Sequence, residues 1–160
     1  MAWYAKFDGI DGSATQKNHI HWTNCASVNM GGHKAGGGGT GVGRVGGKMH
    51  LEDITIGIIN DRGTPKLLEA AVKGKVFKKV EIHGTATYGD AGEQVYLKVE
   101  LENVQITSYQ LGVLDNNQYT DDMALSLNFE KYKTTFTEYG ADGKKGGNVE
   151  FEWKVEEGES

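Results

Sequence analysis

Residues 93–110, EQVYLKVELENVQITSYQ, alternate apolar and polar side chains and then change step. Val95, Leu97, Val99 and Leu101 share one parity, and Tyr96, Lys98, Glu100 and Glu102 the other. Period-two alternation marks a strand with one buried face. At Val104 and Ile106 the apolar parity reverses, which predicts a bulge, because one extra residue flips every later side chain. Residues 76–88 read as the other arm of a hairpin turning through Gly89, Asp90, Ala91 and Gly92.

The same pattern recurs on both sides of this hairpin. Residues 2–8 and 19–28 read as strands, the second with Ile20, Trp22, Asn24 and Ala26 on one face. Residues 48–59, KMHLEDITIGII, carry two apolar parities, Met49 and Leu51 against Ile54, Ile56 and Ile58. A bulge or a change of sheet near Glu52 and Asp53 would reconcile them. Residues 121–139 predict a long strand or bent pair with Leu125, Leu127 and Phe129 inward, and Ala141-Asp142-Gly143 the next turn. Residues 148–155 alternate most cleanly, which predicts Val149, Phe151, Trp153 and Val155 facing the core.

One helix stands out, within residues 60–74. Thr64 reads as the N-cap, Pro65 suits the first helical position and Gly74 suits the left-handed residue past the end. Leu67, Leu68, Ala71 and Val72 form the apolar stripe expected to pack on a sheet. Many strands and one helix imply a mainly β chain, a barrel or sandwich with an appended helix. The 160 residues fit a single domain over 1–155, with an acidic tail, 156–160, expected to be disordered.

The net charge of −5 argues against nucleic acid as the main partner, since phosphate binding needs a basic face. Cys25 is the only cysteine, so no intrachain disulfide can form. No apolar run approaches the roughly 20 residues that span a bilayer, so no membrane insertion is expected. The first residues lack the basic-then-apolar pattern of a cleaved signal peptide. The expectation is synthesis in the cytoplasm and, for any export, a route without a cleaved signal.

Between two strands lies MGGHKAGGGGTGVGRVGGK, residues 30–48. Ordering so many glycines is entropically costly, yet a glycine backbone can approach a neighbour closely. The expected role is docking against an adjacent copy of the chain. The predicted contact residues are Gly31, Gly32, His33, Gly36, Gly37, Gly38, Gly39, Gly41, Gly43, Arg44, Gly46 and Gly47. Gly41, Gly43 and Gly46 formally match a dinucleotide-binding pattern, but that motif must open a helix, and here a strand follows. Gly47-Lys48 is followed by Met49 rather than Ser or Thr, so a phosphate-cradling loop fails too.

No catalytic constellation is legible. His19 and His21 would share a strand face and could ligate a metal only if a third ligand approached; a polar strand face is the simpler reading. Adjacent carboxylates such as Asp121 and Asp122 point to opposite sides of an extended chain. The expectation is a non-enzyme without cofactor or metal.

The order of these pieces resembles the haemolysin-coregulated protein (Hcp) family, the tube protein of bacterial type VI secretion. The resemblance begins with AWYAKFDGIDGSATQKNHIHW and continues through MHLEDITIGII and the helix opened by Thr64-Pro65-Lys66-Leu67. It extends through EQVYLKVELENVQITSY and DDMALSLNFEKYKTTFTEY to the final strand bearing Trp153. The uninterrupted Gly36–Gly39 run departs from the family pattern. The resemblance implies a two-sheet antiparallel β-barrel with one flanking helix and a long glycine-rich loop. It further implies hexameric rings stacked into a tube, expelled by a contractile sheath behind a spike protein, with small effector proteins in the lumen. The family's functional surfaces are interfaces, so no catalytic residues carry over. The competing readings are a monomeric ligand-binding barrel and a phage-type tail tube, with an enzyme last.

Overall fold

Alternating side chains place most of the chain in strands, and the pairing of those strands closes a barrel. The computed structural model describes residues 1–33, 50–111 and 122–155. The strands are β1 (Ala2–Phe7), β2 (Thr23–Asn29), β3 (Gly32–His33), β4 (His50–Leu51) and β5 (Ile54–Ile59). The helix α1 (Thr64–Lys73) precedes β6 (Val76–Thr87), β7 (Glu93–Leu111), β8 (Asp122–Asn128), β9 (Lys131–Tyr139) and β10 (Lys145–Lys154). The barrel runs β7-β6-β1-β2-β5-β8, antiparallel throughout, and closes where β8 returns to β7.

The expected hairpin of residues 76–110 forms, with β6 and β7 joined by a short helical turn at Gly89–Ala91. The expected parity reversal also appears. Val99 and Leu101 are fully buried, Asn103 adopts a left-handed φ of 52°, and Val104 and Ile106 are buried beyond it. Asparagine is among the few side chains that tolerate this conformation. The chain likewise changes sheet at Glu52 and Asp53: β4 pairs with β3 in a separate two-stranded ribbon, and β5 enters the barrel.

The barrel is filled. Phe7, Ile56, Ile58, Ile82, Leu101, Leu125 and Leu127 are among the fully buried residues that meet at its centre. Leu67 and Ala70 carry α1 into this core against β7.

Three local expectations are corrected. Residues 19–22 form a turn rather than the start of a strand, because His21 takes φ 68°. The turn resets the parity, so Thr23 is buried and Cys25 packs on the core, while Ile20 is 54% exposed and Ala26 faces outward. At the helix start the N-cap is Gly63, not Thr64. Asp61 Oδ1 accepts from Gly63 N–H at 2.8 Å, and the Thr64 hydroxyl accepts from Asp61 N–H at 3.0 Å, so the threonine closes the turn before the helix. Gly74 ends the helix in the left-handed conformation as expected. Finally, Val72 is 74% exposed, and Ala70 takes the core position instead.

Helix anchoring therefore rests on Leu67. Leu67→Ala should lower the free energy of unfolding by about 2–5 kcal/mol, whereas Val72→Ala should change it by less than about 0.5 kcal/mol. Urea unfolding followed by circular dichroism measures both; equal costs would contradict this packing.

Candidate assembly surface

β7 is longer than the barrel can use. Its second half, Gln105–Leu111, pairs with β8 and closes the barrel, whereas Leu97–Glu102 pairs with β9 on the same edge. The exchange of partners falls at Asn103. There Asn103 Nδ2 donates to Glu130 Oε2 at 2.7 Å, and Glu130 N–H donates to the Glu102 carbonyl at 3.1 Å. β9 and β10 thus leave the barrel as an extension of its wall.

The two faces of this extension differ. Val149 stands opposite Phe136, Phe151 opposite Thr134 and Trp153 opposite Tyr132, while Phe136, Thr134 and Tyr132 continue the row of Leu97, Val99 and Leu101. Directly opposed residues share a face, so this is the barrel's inner face carried beyond the barrel. The parity expected for β10 is therefore right, but its burial is not. Val149 is 72% exposed, Phe151 and Phe136 are each 48% exposed, and Val155 also faces solvent. Among the described residues, β10 is the end strand of its sheet and no element packs over its apolar face.

The opposite face is a ladder of alternating charge. Lys79 bridges Glu81 at 2.8 Å and Glu100 at 3.2 Å, Lys131 bridges Glu152 at 2.6 Å, and Lys133 lies 3.7 Å from Glu150. Donation to the Glu81 carboxylate, and also to that of Glu100, raises the Lys79 pKa, and the hydrogen bond from Lys131 lowers that of Glu152. Half-exposed pairs of this kind contribute little stability one by one. Their consequence is directional: this face is committed to water.

The residues expected to contact another copy are only partly within the described structure. Gly31 accepts from Glu52 N–H at 3.0 Å, Gly32 pairs with Leu51, and His33 pairs with His50 while its Nδ1 lies 3.0 Å from Glu52 Oε1. These residues form the neck from which the glycine-rich segment departs. Gly36, Gly37, Gly38, Gly39, Gly41, Gly43, Arg44, Gly46 and Gly47 lie outside the described residues, as does the acidic tail 156–160.

His19 and His21 do not share a site. His19 Nε2 lies 2.9 Å from His83 Nδ1, whereas His21 Nδ1 accepts from Arg62 Nη2 at 2.5 Å. Among the described residues no three potential ligands are grouped to hold a metal, and no helix is long and apolar enough to cross a membrane. Cys25 is held as a thiol: burial first, then the Asp61 charge, push it up to about 12. What the sequence left hidden is the exposure of the β9–β10 face, for which an amphipathic strand gives no signal.

Comparison with solved structures shows the same architecture. A type six secretion system protein superposes with a TM-score of 0.88 at 20% identity, covering 99% of this chain and 98% of that one. Hcp1 from Salmonella typhimurium gives 0.78 at 16% identity, covering 99% and 97%. A type VI secretion system effector from Yersinia pestis gives 0.75 at 19% identity, covering 96% and 99%. At such identities these likenesses establish the fold alone. No curated protein matches by sequence. The model of the family described as type VI secretion system effector, Hcp, matches residues 4–136. That match spans the barrel and most of β9, and by it the chain belongs to the Hcp family of type VI secretion proteins.

Proposed function

We propose that this chain is a ring-forming subunit of the type VI secretion inner tube. Hcp is a family of structural, secreted tube proteins of this system. The observation that carries the reading is the apolar face of β9 and β10, displayed beside β10, the end strand of the described sheet. A strand edge and an exposed apolar row together invite another chain. The partner that fits is a second copy, whose sheet both pairs with the edge and covers Val149 and Phe151. Repeated around an axis, such a head-to-tail contact closes a ring. Six copies per ring, stacking into a tube, expulsion by a sheath behind a spike protein, and effector carriage in the lumen complete the proposal. The filled barrel interior favours this reading over a ligand-binding barrel.

Residues 31–47, which leave the β3–β4 neck, are proposed to contact an adjacent protomer or ring.

Light scattering after size exclusion should give a mass near six protomers, with ring-shaped particles in negative stain. Phe151→Glu should return the chain to a protomer without loss of its circular dichroism spectrum. A wild-type chain that stays monomeric at high concentration would refute the assembly. Bulky replacements at Gly38 and Gly39 should weaken stacking of rings while leaving single rings and thermal stability intact. Native mass spectrometry reads this directly, and rings lost together with stacks would remove the stacking role.

A further inference from the structure

β9 and β10 carry the apolar face by which copies are proposed to join, yet the ladder tying them to the barrel is short. β9 pairs with Leu97–Glu102 of β7, and the pairing stops at Leu97. A bulge is the cause. Gly84 of β6 stands opposite Leu97 and Thr85 opposite Val95, so Tyr96 is an extra residue on β7. Its ring lies edge-on to both Trp3 and Phe136. A bulge bends its strand and interrupts the ladder, and Thr137, Glu138 and Tyr139 run past the last β7 partner.

Side chains and turns supply the missing tie. The Tyr139 hydroxyl donates to the Val95 carbonyl, beside the bulge, at 2.9 Å. The Tyr139 ring packs on Tyr88 with 4.8 Å between centroids. Beyond these rings the turn of residues 140–143 rests on the turn at Gly89–Ala91. Gly143 N–H donates to the Gly140 carbonyl at 2.9 Å, and Gly140 N–H to the Lys144 carbonyl at 3.0 Å. Gly143 has a φ of 80°, which glycine adopts without strain. Contact demands glycine here as well: a Cβ at this position would overlap the Ala91 methyl and lie 3.1 Å from the Tyr88 carbonyl oxygen.

We propose that the packed turns, residues 88–92 and 139–143, are a positioning lock that fixes the inclination of β9 and β10 to the barrel and so aims their apolar face at the next copy. The lock rests on the ring reading above and names the residues that set its geometry. In a ring every contact repeats one rotation, so the angle between extension and barrel enters each contact. Two strands held only along Leu97–Glu102 are free to twist about that ladder; a tie at their tip removes this freedom. Tyr88, Ala91, Tyr139 and Gly143 act without touching the next copy, as positioning residues. With the aimed geometry populated in about one unlocked copy in ten, apparent affinity falls about tenfold.

Gly143→Asn tests the lock, because asparagine tolerates the left-handed backbone while its Cβ still meets Ala91. Sedimentation velocity of the full chain over a concentration series should show association weakened about tenfold, with an unchanged circular dichroism spectrum. Hydrogen exchange should quicken at residues 88–92 and 139–145 and stay unchanged in β1 and β5. Adding Ala91→Gly removes the opposing methyl and should restore association, a rescue that a turn weakened only in itself would not show. Gly143→Asn associating as tightly as the wild type, or staying weak with Ala91→Gly in place, overturns the lock. If Gly143→Asn does not fold, Tyr139→Phe decides: it keeps the ring, loses the hydroxyl and should associate about fivefold more weakly, and unchanged association would overturn the lock. A wild-type chain that stays a protomer removes the ring reading and the lock together, whereas the variant outcomes remove the lock alone.

Discussion

The exchange of partners along one edge of β7 is the constraint on which the rest depends. Backbone groups in a sheet need partners at every position, and a strand of 19 residues offers more of them than one neighbour supplies. β8 takes the second half and closes the barrel; β9 takes the first half and departs from it. The left-handed turn at Asn103 allows this, reversing the side-chain parity so that Leu101 and Val104 both reach the interior. A straight β7 would bury one of its halves and expose the other's apolar row.

From that geometry follow the two surfaces of the extension. The inner row of the barrel passes through Leu97 to Phe136 and Val149 without a covering layer among the described residues, and exposure rises as the barrel is left behind. The outer row carries Lys and Glu in alternation across β6, β7, β9 and β10. Hydration and ion pairing keep the outer row in water, while the apolar row gains free energy from any cover. A chain so built is complete in its core and leaves an apolar row exposed at one side.

The barrel wall also supports a second polar core on its outside. Tyr4, His19, Trp22 and His83 shield one another there, and Gln16 and Glu93 satisfy the polar atoms at its ends.

Much of this fold is legible in the chain because alternation and capping are local. The 76–110 hairpin, the break at Glu52 and Asp53, the helix end at Gly74 and the reversal at Val104 all follow from residues within a few positions of one another. The same locality misleads at residues 19–22, where apolar and polar side chains alternate through a turn set by His21. It also misleads at β10, where period two identifies the face of Phe151 correctly but says nothing of what lies above it. His19 and His83 are 64 positions apart, and their contact exists only because the connection between β1 and β2 reaches β6. The sequence by itself determined which segments extend, where they turn and which side of each is apolar, because those properties depend on backbone geometry and nearest neighbours. Only the tertiary structure decided which apolar face is covered, which stays exposed and which histidines meet, because burial is settled by pairings between distant segments.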